Sequence, residues 1–378
     1  MSADSKPMTP NEPIKLFLCG DVMTGRGVDQ ILPYPCDPLL HERYMDSAVD
    51  YVRLAEEATG AIPRPVGMSY IWGAALEELA HAQPDARIIN LETSVTRSDA
   101  WVDKGINYRM SRENAACLRE AGIDCCVLAN NHVLDWGKPG LLDTLATMEA
   151  LGITTAGAGR NLTTASRPAV MDIAGKGRVS VHAFADPTSG VPRSWAARTD
   201  APGINLLPDL SDDSIARVCR QIAEFRRPGD IFVVSLHWGG NWGYEIPDEQ
   251  IRFAHRMVDE ADVSVVYGHS SHHPKGIEVY RDRLILYGCG DFLNDYEGIT
   301  GCEEFRGDLA LMYFASIDAG SGALVRLDLT PLKIRHFTLN HTTPADAAWL
   351  RRTIEQASEQ FATRIEVTAD GRLAVAWR

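Results

Sequence analysis

Three histidines fall close together in the stretch VVYGHSSHHPKG, residues 265–276. They are His269, His272 and His273, and they follow directly on an apolar run. Imidazole binds transition metals and titrates near neutral pH, so these side chains could serve as metal ligands or as an acid/base group. A lone histidine at a strand end more often makes an ordinary hydrogen bond. Other polar residues must join these three before a metal site is predicted.

Such residues follow several other apolar runs of the chain. The carboxyl ends of neighbouring strands meet at one edge of an α/β sheet, where ligands and catalytic groups gather. The sequence therefore predicts one site built from residues that lie far apart in the chain. Its candidate members outside the histidine stretch are Asp21, Glu92, Asn131, His132, His237 and Asp291.

The donor types of this set indicate which ion it would hold. Carboxylates, an amide oxygen and imidazoles suit manganese, iron, zinc or cobalt better than calcium, and the thiolates of a structural zinc site are missing. A carboxylate such as Glu92 can bridge two ions, and binuclear sites serve hydrolysis and group transfer. We predict one or two divalent transition-metal ions, with manganese favoured.

Runs of apolar residues alternate with amphipathic stretches along the chain. Residues 214–225 repeat apolar side chains at helical spacing, whereas IFVVSLHWG, residues 231–239, is typical of a buried strand. Strands that alternate with helices and are apolar almost throughout predict a layered α/β core with buried sheets.

Composition limits the partners of the protein. Its formal net charge of -14 argues against a nucleic-acid scaffold, which needs a basic surface. We find neither a run of about 20 apolar residues, as a membrane span requires, nor a signal-peptide pattern. The eight cysteines have no framework or zinc spacing, so we predict free thiols and a cytoplasmic location. The oligomeric state is left open.

We predict three parts along the chain. Residues 1–13 read as a disordered tail, 14–331 as the core domain, and 332–378 as a small annex of one helix and a hairpin that turns at Asp370-Gly371. Residues 30–73 hold several prolines and little periodicity. A long irregular segment inside a domain is usually functional, so we predict that it forms a lid over the site.

Five motifs together resemble the CapA/PgsA-like family of poly-γ-glutamate capsule synthesis proteins, whose fold is similar to that of the calcineurin-like metallophosphatases. The resemblance runs from about residue 14 to residue 330 with the motifs in the order of the family, and it implies an αββα core with mixed sheets. The motifs are GDVMTGRG (20–27), NLETSVT (90–96), LANNHVLDWG (128–137), SLHWGGNW (235–242) and GHSSHHPKGIEVYRDRLILYGCGDF (268–292).

The resemblance implies a role for each matching residue. Asp21 and His272 would bind a first metal, and Glu92 stands where metallophosphatases place a bridging carboxylate. His132 would be the acid/base residue. The second metal would be bound by Asn131, His237 and His269, whereas His273 has no counterpart.

Two positions depart from the usual motifs of the family and its fold. Metallophosphatases usually carry a histidine two residues after the first aspartate, and here that position is Met23. The usual Gly-Asn-Phe of the family is Gly-Asp-Phe, which places Asp291 in the site. Asp291 could replace the missing ligand or act as a base.

Several functions are compatible with these residues. The first is a metal-dependent enzyme that makes or cleaves a γ-glutamyl or other peptide amide, with His132 protonating the leaving group. The second is a metal-dependent epimerase that exchanges a Cα proton. The third is a non-catalytic accessory subunit that binds a polymer synthetase or a peptide carrier. In the enzyme, Arg26 and Arg109 could clamp an anionic group, and Trp238 could contact the substrate.

Overall fold

The computed structural model describes residues 12–368 and 372–377. Most of the predicted tail, and the predicted turn at Asp370-Gly371, lie outside these residues. Within them, no helix combines the length and apolar character that crossing a bilayer requires.

The described chain is rich in short strands that alternate with helices. In chain order the strands are β1 Ile14–Val22, β2 Ala86–Leu91, β3 Ser94–Val95, β4 Arg109–Met110, β5 Cys125–Val127, β6 Thr154–Ala156, β7 Ala158–Gly159, β8 Ala169–Ile173, β9 Gly177–Ala185, β10 Gly203–Ile204, β11 Asp230–His237, β12 Val265–His269, β13 Ile277–Tyr280, β14 Arg283–Leu286, β15 Asp291–Leu293, β16 Leu309–Ile317, β17 Leu324–Arg335, β18 Thr338–His341, β19 Arg364–Val367 and β20 Leu373–Ala376. The α-helices are α1 Gly27–Ile31, α2 Ala48–Thr59, α3 Ala74–Ala82, α4 Cys117–Glu120, α5 Gly137–Leu151, α6 Leu162–Ala165, α7 Asp212–Phe225, α8 Asp248–Ala261 and α9 Pro344–Ala357. Short 3-10 turns occupy Tyr70–Trp72, Asn114–Ala116, Pro187–Ser189, Arg193–Trp195, Glu303–Phe305 and Glu359–Phe361.

Two large mixed sheets contain most of these strands. The first has the order β19-β20-β17-β16-β1-β2-β5-β6, with β15 also paired to β1 and β18 to β17. Strands β1, β2, β5 and β6 run parallel, whereas β16 and β17 are antiparallel. The second sheet has the order β13-β14-β12-β11-β9-β8, with a parallel centre and an antiparallel strand at each edge. The prediction of buried mixed sheets is confirmed.

The apolar residues of β11 explain how the layers stack. Successive side chains of a strand point to opposite faces. Val233 belongs to the core shared with the first sheet, whereas Val234 belongs to a second core formed with α7 and α8. Ile222 of α7 and Phe253 of α8 are buried in that second core. The two sheets therefore pack face to face with helices outside them, as the predicted αββα arrangement requires.

Strand register brings distant polar residues to one edge of this sandwich. Asp21 of β1 is paired with Asp291 of β15, and His237 of β11 with His269 of β12. Across the interface, the Tyr267 hydroxyl donates to the carbonyl oxygen of Cys19 and joins the two sheets. The site predicted at the strand ends therefore forms where the two sheets meet.

The predicted lid and annex are both attached to the core. Residues 30–73 contain α2, whose Thr59 hydroxyl donates to Glu297 at 2.9 Å. The predicted boundary at residue 331 falls inside β17, and β20 pairs with that strand. The annex strands therefore extend the first sheet, and the division of the chain at residue 331 stays a prediction.

Candidate metal centre

Asp21 lies at the centre of the candidate site. Two sets of side chains place their potential ligand atoms within 4.8 Å of one another, and Asp21 belongs to both. One set is completed by His237 and His269, the other by His272 and Asp291. Every member is buried. The geometry thus joins residues from both sheets around one shared carboxylate.

The first of these sets is anchored on the second sheet. His237 Nδ1 lies 2.7 Å from His269 Nδ1, and His237 Nε2 lies 3.2 Å from Asn131 Oδ1. His269 Nε2 is 2.7 Å from the Ser235 hydroxyl, and its Nδ1 is 3.9 Å from Asp21 Oδ1. Burial lowers the pKa of His269 to about 3. The imidazoles are therefore neutral, which is the form that binds metal.

His272 forms the second set with Asp291. Its Nδ1 lies 2.8 Å from Asp291 Oδ1, and the Asn294 amide donates to the other oxygen of that carboxylate, also at 2.8 Å. Burial alone would lower the pKa of His272, but the adjacent Asp291 carboxylate prevails and raises it. Met23 holds no polar group here, and its sulfur lies 3.6 Å from the Tyr296 hydroxyl. Asp291 thus occupies the side of the site where a ligand was expected to be missing.

Glu92 lies beside these sets and is held by a chain of amides. The Asn90 side-chain amide donates to Asp21 Oδ1 at 2.8 Å and to Glu92 Oε2 at 2.9 Å. Asn130 in turn donates to Asn90 Oδ1 at 2.9 Å. Glu92 Oε1 lies 4.0 Å from His237 Nε2. Sequence reasoning missed Asn90 and Asn130, although Asn90 lies only two residues before Glu92, at the end of β2.

The carboxylates have few positive charges to balance them. Burial and the neighbouring Asp291 raise the pKa of Asp21 to about 7, against the hydrogen bond from Asn90. Burial and the charge of Asp21 likewise raise the pKa of Glu92 well above its ordinary value. Acceptor atoms that converge with so little positive charge fit a divalent cation. The donor set therefore suits the metal that the sequence predicts.

His132 is held by residues that the sequence did not single out. Its Nδ1 lies 2.6 Å from Asp135 Oδ2, so the Nδ1–H donates to that carboxylate and Nε2 is left to face Glu92 Oε1 at 4.0 Å. Lys104 Nζ lies 2.9 Å from Asp135 Oδ1 and also donates to the carbonyl oxygen of Asn131. Burial lowers the pKa of His132 to about 4 despite the charge of Asp135. A neutral imidazole with a free Nε2 lone pair therefore faces the cluster.

Arg26 is buried within an ionic network of its own. Its guanidinium bonds Asp295 at 2.5 and 3.0 Å and Glu42 at 3.2 Å. The rings of Tyr51 and Tyr108 lie 3.8 and 4.3 Å from its carbon. Arg26 is 3% exposed, and its donors bond Asp295 of the core and Glu42 of the predicted lid.

The side chains of Arg109 and Trp238 also make their contacts within the protein. Arg109 stacks on Trp136 at 3.8 Å and bonds Asp99 and the carbonyl oxygen of Asp37. Trp238 is 3% exposed, donates to the carbonyl oxygen of Tyr287 at 3.0 Å, and packs in the second core. The structure does not bring the ring of Trp238 to a surface that a substrate could reach.

A cleft of about 890 Å³ opens beside His272. Trp242, which is 38% exposed, lines it with its ring centroid 5.3 Å from that of His272. Thr59 from the predicted lid lines it as well. His273 is fully buried behind Trp242, against Phe305. The cleft gives an extended ligand access to the His272 side of the cluster.

Comparison with known proteins identifies relatives along most of the chain. The family described as bacterial capsule synthesis protein PGA_cap matches residues 15–296. A Mycobacterium tuberculosis protein named probable polyglutamine synthesis accessory protein is 46% identical over 364 residues, which cover 96% of each chain. The capsule biosynthesis protein CapA of Bacillus anthracis is 26% identical over 89% of this chain and 71% of its own. Among solved structures, a Mycoplasma pneumoniae phosphatase aligns with 89% of this chain and 97% of its own, at a TM-score of 0.45 and 12% identity.

Proposed function

The chain belongs to the family of bacterial capsule synthesis proteins, and from that premise we propose that it is a metal-dependent enzyme acting on a γ-glutamyl or related peptide amide. The observation that carries this proposal is the convergence of two buried ligand sets on Asp21. Buried carboxylates and imidazoles at one sheet edge cost stability unless a cation or a reaction uses them.

We assign the ligands by their positions. Asp21, His272 and Asp291 would hold one ion, and Asp21, His237 and His269 a second, with manganese favoured. Asn131 is close enough to His237 to contribute its amide oxygen. We place Glu92 beside the second ion, where the Asn90 hydrogen bond fixes its carboxylate. Asp21 would then be the shared ligand, in place of the Glu92 that the resemblance implies, and Asp291 would replace the ligand missing at Met23.

The chain's own residues would move the proton. Two such ions, when bound, supply activation of water and stabilisation of negative charge on the attacked oxygen. His132 would take a proton from the attacking water at Nε2, because its Nδ1–H is bonded to Asp135. It then returns that proton to the leaving amine. Lys104 balances the charge of Asp135, so that His132 starts the cycle neutral.

An amine-release assay tests this proposal. Manganese-loaded protein should release amine from a γ-linked glutamate oligomer or from the same oligomer with α-carboxamides, and His132→Gln should lower the rate by about 10²- to 10⁴-fold. His81→Gln is the matched control, because His81 is exposed on α3. Deuterium entering a Cα position without amine release would favour the epimerase alternative instead. Loaded protein that does neither contradicts an enzymatic function.

A second candidate is a non-catalytic accessory subunit of a polymer synthetase. It is supported by the name of the Mycobacterium tuberculosis relative, which is called an accessory protein. In that case cells carrying His132→Gln should still make polymer, while surface substitutions should remove a synthetase or peptide-carrier partner from pull-downs. The cytoplasmic location of the protein stays a prediction.

A further inference from the structure

The cleft beside His272 has the size of a site for several linked units. Its volume of about 890 Å³ lies near the upper end of the range for small-molecule sites, roughly 300–1,000 Å³. It is bordered by α2, by the loop that carries Ile299, and by β17. If the proposed function holds, the chain whose amide is attacked would lie here.

Most charged groups of the cleft neutralise one another. Arg306 bonds both oxygens of Asp308, at 2.7 and 2.9 Å, and Asp346 at 2.7 Å. Lys333 lies 3.2 Å from Asp308 and 3.5 Å from Asp346. These two cations are therefore paired with two carboxylates of the protein. A bidentate clamp for a substrate carboxylate needs a guanidinium whose donors are free.

The remaining charged groups of the cleft, two carboxylates and one guanidinium, leave no surplus of cations. Glu297 accepts hydrogen bonds from Thr59 and from two backbone amides. Among residues 12–368 and 372–377, Arg335 has no carboxylate partner, and it donates to the carbonyl oxygen of Thr59 at 3.3 Å. Glu303 is exposed on the same rim and accepts from the Gly301 amide. Arg335 and Glu303 are both exposed, so the lining carries one exposed cation and one exposed anion.

The uncharged part of the lining is apolar or bears amides. Trp242 is 38% exposed and packs on Phe305 with ring centroids 5.3 Å apart. Ile299 is 47% exposed. Asn241 and Thr300 supply neutral hydrogen-bonding groups. Such a surface binds flat, neutral peptide-like groups by contact and by amide hydrogen bonds.

We propose that this cleft binds an uncharged, amide-bearing segment of the substrate chain and selects against a polyanionic one. Each carboxylate of a polyanion would enter a lining without a surplus of cations, on a protein whose net charge is -14. It would lose hydration without gaining a paired cation. A carboxamide in the same place loses far less hydration and keeps its hydrogen bonds. This selection rests on the proposed function, because it assumes a peptide-like substrate chain. It predicts which chain binds and does not depend on catalysis.

Calorimetric titration of the full chain without added metal tests the selection. The probes are a short γ-linked glutamate oligomer with free α-carboxylates and the same oligomer with α-carboxamides. We expect the carboxamide oligomer to bind at least about tenfold more tightly. Trp242→Ala should weaken its binding by about tenfold, whereas Trp101→Ala, at a residue that is 40% exposed elsewhere on the surface, should not. Glu303→Lys should strengthen binding of the carboxylate oligomer by roughly twofold to fivefold.

The outcomes separate this inference from the proposed function. Equal or tighter binding of the carboxylate oligomer by the wild-type protein contradicts the selection, and so does binding of neither oligomer. Tight binding of the carboxamide oligomer by a protein that releases no amine supports the selection and contradicts the enzyme. Amine release together with tighter binding of the carboxylate oligomer supports the enzyme and contradicts the selection.

Discussion

Asp21 and Asp291 stand opposite each other on the parallel strands β1 and β15, with His272 bonded to Asp291. Burial raises the pKa of Asp21, and repulsion by the neighbouring Asp291 carboxylate raises it further. A divalent ion between them would remove that repulsion. Asp291 stands where the resemblance implies an asparagine, and its charge would be available to such an ion.

Asp291→Asn should weaken metal binding on the His272 side by about 10- to 100-fold, the loss typical of changes around a metal ligand. The amide keeps the size of the carboxylate, so the fold should survive. Titration of metal-free protein with Mn²⁺ measures the change. Asp99→Asn, at a side chain that is 90% exposed, is the control. Unchanged affinity in Asp291→Asn would show that Asp291 is not a ligand.

Metal affinity should rise with pH between about 6 and 8. The pKa of Asp21 is raised to about 7 in the metal-free protein, so below that pH the ion must displace a proton. The apparent affinity should change by up to about tenfold per pH unit for each displaced proton. Calorimetry in two buffers of different ionisation enthalpy counts the protons released. An affinity that falls or stays constant as pH rises contradicts an ionisable carboxylate ligand.

Gly20→Ala should unfold or strongly destabilise the protein. A Cβ at Gly20 would lie 1.7 Å from the carbonyl oxygen of Gly290, which is backbone and cannot rotate away. We expect a loss of about 3 kcal/mol or more in the free energy of unfolding, measured by urea denaturation. Gly67→Ala meets no atom within 4 Å and should be nearly neutral. Similar stability of the two variants would mean that β1 and β15 are not this close.

Arg26→Met should destabilise the protein by about 3–5 kcal/mol, because Asp295 would be left as an unpaired buried charge. Adding Asp295→Leu to that variant should recover part of the loss, since the unpaired charge is then removed. Metal content should stay the same in both, because Arg26 bonds carboxylates outside the two ligand sets. A stable Arg26→Met protein that no longer binds substrate would support the clamp predicted from the sequence instead.

The sequence predicts the skeleton of the site because its members follow buried strands. Helices such as 74–82 and strands such as β11 are visible as apolar periodicity, and alternation of the two indicates layers. Pattern alone cannot divide the strands between two sheets, since register depends on contacts made across the chain. The shared position of Asp21 follows from that register.

Contacts made by residues in irregular segments, or between distant parts of the chain, are harder to predict from the sequence. Lys104 reaches Asp135 from a loop without periodicity, and the burial of Arg26 depends on Asp295, far away in the chain. Trp238 directly follows the site residue His237 at the end of β11. Successive side chains point to opposite faces there, so the ring of Trp238 packs in the second core. Proximity in sequence therefore overstates its role in substrate binding.

Metal content tests the binuclear centre most directly. Untagged protein, stripped and reconstituted with manganese, should contain about two ions per chain by plasma mass spectrometry. His272→Ala should retain about one, and so should His237→Ala, because each removes a ligand from a different set around Asp21. His81→Ala should keep both. A wild-type protein that binds no metal after reconstitution would contradict the metal centre and the enzyme proposed from it.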